Sequence, residues 1–150
     1  IVLGKSGAVA VMGVIQATVM FIAAALIFGV WPNGSIVGLA VMIVLTAIAA
    51  AALAMFLAAA GESEGMVHGI ALLVILVMSA LGGSMFPLVF MPEWMQKVAG
   101  VTLNKWAIDG FNSVVWRGLP LTAILPNAAV LLGYSAVLFL LGRRLFRWKI

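Results

Sequence analysis

Residues 36–61 read IVGLAVMIVLTAIAAAALAMFLAAAG, an apolar stretch without a single charged side chain. A helix needs roughly 20 apolar residues to cross about 30 Å of hydrocarbon, so this stretch is long enough to span a membrane. Its second half is dense in alanine, and small side chains allow membrane helices to approach one another closely. The stretch therefore predicts a transmembrane helix in the middle of a helical bundle.

Three further stretches have the same character, and composition agrees with them. The sequence of 150 residues is 66% hydrophobic and only 8% charged, whereas a soluble domain has about a quarter of its residues charged. We predict an all-α polytopic membrane protein with one transmembrane domain over residues 1–150. The charge-free stretches are Gly7–Trp31, Ile36–Gly61, Gly69–Pro92 and Gly118–Gly142. The predicted spans are about 8–31, 36–60, 69–90 and 119–142.

The distribution of lysine and arginine predicts the orientation. With four spans, both ends of the chain lie on the same side of the membrane, and cytoplasmic sides carry the excess of basic residues. We expect a multi-pass protein of the cell (inner) membrane with both ends of this chain in the cytoplasm. The end-side basic residues, a predicted cytoplasmic anchor near anionic lipid, are Lys5, Arg143, Arg144, Arg147 and Lys149. The opposite side carries Lys97, Lys105 and Arg117.

The segment between the last two spans stays apolar after it leaves the membrane. Residues 86–94 read FPLVFMPEW, with two prolines and no charge before Glu93. Apolar residues at helical spacing then predict two short amphipathic helices, at about 92–100 and 105–117, with Asn104 capping the second. Two pairs of opposite charge are spaced four residues apart, as in ion pairs on a helix surface. These pairs are Glu93 with Lys97 and Lys105 with Asp109.

Two interpretations of this segment remain open on physical grounds. A break at Gly82, Gly83 and Pro87 would let the chain lie in the outer interface as two helices that only anchor the spans. Alternatively, the segment re-enters the membrane as a cap over a transport path, because irregular backbone at membrane depth must be buried in protein or line a cavity. Trp94, Trp106 and Trp116 fit headgroup depth in either case.

The sequence resembles the membrane subunit of type-2 ABC transporters. The resemblance rests on ALGGSMFPLVFMPEWMQKVAGVTLNKWAIDGFNSVVWRGLPL at residues 80–121, which is similar to the region between the family's last two helices. VLGKSGAVAVMGVIQATVMFIAAALIFGV at residues 2–30 is similar to the family's third helix. The order of elements is kept over nearly the whole chain. By this resemblance the chain corresponds to helices three to six, and we expect an N-terminally truncated protein that lacks the first two helices and the coupling helix.

The resemblance also implies a function. It implies an exporter permease that works as a dimer, with a second copy or a homologue, beside a separate ATP-hydrolysing subunit. The outer segment would be the extracellular gate, and an amphipathic drug, lipid or glycan would be the cargo. We expect the bend to depend on Gly82, Gly83, Pro87 and Pro92. We expect Glu93, Trp94, Trp106 and Asp109 to shape the gate.

Other motifs in the sequence give only weak signals for a ligand-binding site. Gly4-Lys5-Ser6 matches the end of a phosphate-binding loop, but such a loop is followed by a soluble helix, whereas this tripeptide leads into a span. Glu62, Glu64 and His68 fall short of a metal-ligand set, and we expect them in a solvated, helix-capping loop. We expect no bound cofactor or metal, ATP and Mg²⁺ being held by the partner subunit, and no nucleic acid. Gln16, a polar residue within a span, predicts a hydrogen bond between helices or a contact with substrate.

Two alternatives from other classes remain. A non-transporting anchor or assembly subunit would be insensitive to charge changes at Glu93 or Asp109. An ion-coupled carrier would show gradient-dependent flux without ATP, although such carriers commonly hold ionisable residues within the membrane. The four charge-free stretches hold no Asp, Glu, His, Lys or Arg, which favours the exporter over the carrier.

Overall fold

A computed structural model describes the backbone of residues 2–148 and the side chains of residues 4–147. Lys149, assigned above to the basic anchor, lies outside the described residues. Throughout the described part the protein is all-α, with six α-helices and two short 3-10 helices and no strand. The α-helices are α1 (Val2–Phe28), α2 (Ile36–Ala60), α3 (Glu64–Leu81), α4 (Glu93–Ala99), α5 (Leu103–Val115) and α6 (Leu125–Trp148).

Four of the described helices, α1, α2, α3 and α6, are long and apolar enough to cross a membrane. The limits of three of them differ from the expected spans. α1 ends at Phe28, before a left-handed Gly29, and α3 ends at Leu81 rather than near residue 90. α6 begins at Leu125, after a 3-10 turn over Leu121–Ile124, and continues to Trp148. The arginines of the predicted cytoplasmic anchor therefore lie on a helix.

The turn between α2 and α3 is much shorter than the sequence suggests. Gly61 follows α2, and the Ser63 hydroxyl accepts a hydrogen bond of 3.2 Å from the Met66 N–H, which caps the start of α3. Glu64 lies in the first turn of α3, where its negative charge complements the helix dipole. Glu64 and His68, expected in a solvated, helix-capping loop, are exposed but belong to the helix, and Ser63 caps it.

α2 lies in the centre of the bundle, as its alanine content predicts. It packs against α1 and α6 along its length and against α5 near its beginning. Gly13 of α1 approaches Ala47 so closely that an added Cβ would lie 3.2 Å from the alanine Cβ. On the other side, an added Cβ at Gly142 of α6 would lie 3.0 Å from the Met55 methyl. Small residues thus bring both neighbours onto α2.

α3 has the fewest contacts with the other spans in the described chain. None of its described residues is buried, which is also true of α1, whereas eleven residues of α2 are buried. Large side chains such as Leu72 and Leu73 are more than 60% exposed along its length. Its fixed connections within the described chain are at its two ends, through the turn to α2 and through the segment that leads to α5. α3 is therefore attached to the bundle mainly at its ends.

Candidate functional site

We name residues 82–117 the cap, because this segment covers the end of the bundle at which α2 and α6 begin. It contains a 3-10 helix (Leu88–Phe90), α4 and α5. α5 packs on α2 and α6 with one apolar face, as the helical spacing predicts. The buried residues of that helix are Leu103, Ala107, Gly110, Ser113, Val114 and Val115.

Glycine at position 110 allows α5 to approach α2. The side chain of Met42, which is fully buried, lies directly over Gly110, and an added Cβ would overlap the methionine methyl group. Asn127 in the first turn of α6 completes this contact, because its side-chain N–H donates a hydrogen bond of 2.9 Å to the Trp106 carbonyl. Asn127 is itself buried. Through these contacts α5 is fixed to two spans at once.

The turn between α1 and α2 docks on the far end of α5. The Asn33 N–H donates to the Val115 carbonyl at 3.2 Å, and the Gly34 N–H donates to the Val114 carbonyl at 2.9 Å. An added Cβ at Gly34 would lie 2.6 Å from the Leu119 carbonyl oxygen, so the close approach requires glycine. Carbonyls at the end of a helix need such donors because they have no partner within the helix.

The beginning of α5 is linked to the end of α3 by Asn104. Its side-chain nitrogen donates to the hydroxyl of Ser84 at 2.9 Å and to the hydroxyl of Ser79 at 3.3 Å. The expectation that Asn104 caps α5 is therefore wrong: Thr102 is the N-cap, with its hydroxyl 3.4 Å from the Lys105 N–H. Because Thr102 occupies the N-cap position, the side chain of Asn104 can reach α3.

Gly82 and Gly83 form the bend that the sequence places after the third span. Gly82 is buried, and an added Cβ there would lie 2.5 Å from the Asn104 Cβ and 2.8 Å from the Thr102 hydroxyl. Gly83 has a φ of 88°, a left-handed conformation that side chains rarely adopt. Pro87 precedes the 3-10 helix, and Pro92 immediately precedes α4 rather than occupying its first position.

A compact charged group lies on the accessible side of α5. The Lys105 ammonium is 3.6 Å from the Asp109 carboxylate and 4.1 Å from the centre of the Trp106 ring. The Trp106 indole N–H donates to the Gly100 carbonyl at 2.8 Å, which fixes the ring. Lysine is thus held between a carboxylate and an aromatic face. Trp106 and Asp109, both predicted gate residues, are brought together here.

The predicted gate residues on α4 are not part of this group. Glu93 and Trp94 are exposed, and among the described residues neither makes a hydrogen bond, ion pair or ring contact with Trp106 or Asp109. Glu93 also makes no ion pair with Lys97 in the described chain, although the two are four residues apart. The segment before α4 is strongly apolar and exposed, with Val89 at 84% and Phe90 at 83%.

Gln16 does not link two helices of the described chain. It lies exposed on α1, and its side chain has no hydrogen-bond partner within residues 2–148. The α2-facing side of α1 is apolar instead and borders two open grooves of about 430 and 350 Å³. Phe21 connects both grooves to the cap, since its ring lies 5.2 Å from that of Phe111 in α5.

The other predicted site residues lie at the opposite end of the bundle. Lys5 is exposed near the start of α1, and Arg143, Arg144 and Arg147 are exposed near the end of α6. Within the described residues, no three His, Asp or Glu side chains are grouped closely enough to hold a metal ion.

Sequence reasoning missed Asn127, Met42 and the contact of the Asn33–Gly34 turn with α5. A polar residue directly after Pro126, at the start of an otherwise apolar span, is a signal that could have pointed to Asn127. Met42 carries no such signal, because its role depends on which glycine of a distant helix lies opposite.

Known membrane transport proteins are similar to this chain over most of its length. A family model described as "ABC-2 family transporter protein" matches residues 1–144. The chain is 25% identical over 138 residues to the linearmycin resistance permease protein LnrN of Bacillus subtilis (strain 168). That alignment covers 91% of this chain and 35% of the relative, so the chain spans about a third of the relative's length. No solved structure matches the chain significantly.

Proposed function

Because the chain belongs to the ABC-2 family of transporter proteins, we propose that it forms the membrane path of an ATP-driven exporter. In this proposal the cap is the gate at the outer side of the membrane. ATP is bound and hydrolysed on a separate subunit, and the permease works as a dimer with a second copy or a homologue. Membership of the family makes the chain part of a membrane transport subunit rather than an enzyme.

The observation that carries the gate proposal is the contrast between α3 and α5. α5 is fixed on α2 and α6 by buried contacts, whereas α3 has no buried residue in the described chain and is attached at its ends. A shift of α3 therefore costs few packing contacts. Such a shift acts on α5 through Asn104, whose amide bonds to Ser79 and Ser84. Hinged motion of this type is a common basis of gating.

Charge supports the placement of the cap on the outer side. The described basic residues at the other end are Lys5 and three arginines of α6, against Lys97, Lys105 and Arg117 in the cap. Basic residues in excess favour the cytoplasmic side. In the proposal, both ends of the chain lie in the cytoplasm and the membrane is the cell membrane.

The cargo class follows from the grooves beside α1 and from the relative. Both grooves are almost wholly apolar, and one holds the buried hydroxyl of Thr46, which has no hydrogen-bond partner in the described chain. An amphipathic molecule fits such a lining better than an ion or a sugar phosphate. The relative is named for resistance to linearmycin. We propose an amphipathic drug, a lipid or a lipid-linked glycan as cargo.

The test is to purify the intact protein together with the products of the neighbouring genes, including any ATPase, and to measure ATP hydrolysis in nanodiscs. We expect a stable complex in which hydrolysis depends on the permease. Replacing Asn104 by Ala removes the link between α3 and α5 and should uncouple hydrolysis from cargo. Asn112→Ala is the matched control, because that side chain lies on the same helix and makes no hydrogen bond in the described chain.

Two results would contradict the proposal. If no ATPase associates with the intact protein under any mild extraction, the chain acts as an anchor or a carrier. If Asn104→Ala and Asn112→Ala leave cargo-stimulated hydrolysis equally unchanged, the cap does not respond to α3 and is not the gate.

A further inference from the structure

The last two turns of α6 carry a feature that lies outside the proposed gate. Arg143, Arg144 and Arg147 border an open groove of about 520 Å³. The rest of its lining is apolar and lies one to two turns earlier on the same helix. These apolar residues are Val137, Leu140 and Leu141.

The groove lies on the side of α6 that faces away from the bundle. Leu131, Ser135 and Gly142 are the buried residues of this part of α6, and Gly142 rests against Met55 and Phe56 of α2. Residues 137, 140, 141 and 144 follow the spacing of a single helix face and are exposed or half-exposed. This face is opposite the contact with α2. It is exposed in the described chain.

The three guanidinium groups have no carboxylate partner in the described chain. The ion pair between Lys105 and Asp109 lies in the cap, at the other end of the bundle, and Glu62 and Glu64 make no ion pair with these arginines. A guanidinium group presents several N–H donors in a planar fork that suits the oxygens of a phosphate. Three such forks within five residues form a strongly positive surface next to an apolar one.

We propose that this groove holds one anionic phospholipid. Its phosphate is contacted by Arg143, Arg144 and Arg147, and one acyl chain lies along Val137, Leu140 and Leu141. The charge of the arginines selects an anionic headgroup, and the apolar continuation along α6 selects a lipid over an acidic protein surface. This inference is independent of the exporter mechanism and goes beyond diffuse attraction of basic residues to a membrane.

The experiment measures lipid binding to the intact, delipidated protein by native mass spectrometry. The probes are phosphatidylglycerol and phosphatidylcholine with identical acyl chains. We expect one phosphatidylglycerol per chain to bind more tightly than phosphatidylcholine. Each Arg→Gln change at 143, 144 or 147 should weaken phosphatidylglycerol binding by about fivefold. Arg117→Gln, an exposed arginine at the other end of the bundle, is the matched control and should leave binding unchanged.

Two further variants separate a defined site from general attraction. Arg144→Lys keeps the charge but loses the planar fork, so binding should weaken although less than in Arg144→Gln. Leu140→Ser should weaken binding of long-chain but not of short-chain phosphatidylglycerol. Soluble glycerol phosphate and inorganic phosphate should not displace the lipid, because neither supplies an acyl chain.

The proposal is overturned if all three Arg→Gln variants bind phosphatidylglycerol as the unaltered protein does, or if phosphatidylcholine binds equally well. It is also overturned if inorganic phosphate displaces the lipid, because the groove would then be a simple anion site. If the variants retain lipid but lose an associated ATPase, the arginines contact a protein partner instead. The substituted residues lie on the exposed face of α6, so we expect the variants to fold. Unchanged elution in size-exclusion chromatography checks this.

Discussion

The side-chain nitrogen of Asn127 lies 2.9 Å from the carbonyl oxygen of Trp106, so the first turn of α6 is bonded to the middle of the cap. Both residues lie within a mainly apolar environment, where few other groups could satisfy the amide. The same turn contacts Gly110, whose absent side chain makes room for Met42. One short region of α5 therefore meets two spans, and changes there should affect the whole cap.

Replacing Asn127 by Ala should lower the stability of the protein. The loss of one hydrogen bond between helices in a membrane costs about 0.6 kcal/mol on average and up to about 1.7 kcal/mol. We expect a decrease in melting temperature of a few degrees, measured by thermal challenge of the detergent-purified protein. Asn112→Ala should leave the melting temperature unchanged. An equal decrease in both variants would contradict a specific role for the Asn127 bond.

The four spans and the two helices of the cap show which features the sequence could and could not predict. Apolar stretches of sufficient length identified the four spans, and apolar spacing identified α4 and α5, because both signals are local. The alanines of α2 predicted its central place, since close packing needs small side chains wherever the partner lies. The N-cap residue of α5 was misassigned because Thr102 and Asn104 are both good N-cap residues. Only the position of Ser79 and Ser84 decides between them. The end of α6 was missed because a helix continues through arginines once it has left the hydrocarbon.

The effect of Gly110→Ala on stability should change sign when Met42 is also replaced by Ala. In the unaltered protein, Gly110→Ala forces the buried Met42 side chain to move, and overpacking of this type costs about 1–3 kcal/mol. In a Met42→Ala background the space is vacant, so the same change should be neutral or stabilise by up to about 1 kcal/mol through helix propensity. Thermal stability of the four proteins of the cycle provides the measurement. Additive effects would mean that the two residues do not contact each other.

Gly82→Ala should disturb the junction between α3 and the cap. The added methyl group would lie within 3 Å of Asn104 and Thr102, neither of which can move without shifting the start of α5. We expect a loss of roughly 1–3 kcal/mol of stability and a loss of cargo-stimulated ATP hydrolysis in the complex. Gly133→Ala is the control, since no atom lies within 4 Å of its added Cβ. A Gly82→Ala protein with unaltered stability and hydrolysis would show that the bend tolerates a side chain.

Substitutions in the group formed by Lys105, Asp109 and Trp106 test whether the cap acts as a gate or only stabilises the bundle. Its ion pair is partly exposed, and pairs of this kind contribute about 0.2–1 kcal/mol to stability. Asp109→Asn and Lys105→Gln should therefore change the melting temperature little, whereas a gate that depends on this pair should lose transport in both variants.

Exchanging the two charges, as Lys105→Asp with Asp109→Lys, restores the ion pair but removes the ammonium group from the Trp106 ring. We expect transport to recover in part, because the attraction between charges returns and the cation–π contact does not. Vesicle transport assays at low salt give the clearest reading, since exposed pairs are screened at high ionic strength. Lys97→Gln removes an unpaired charge from α4 and should have no effect. If it lowers transport as much as Lys105→Gln, the response reflects the net charge of the cap and the pair has no specific role.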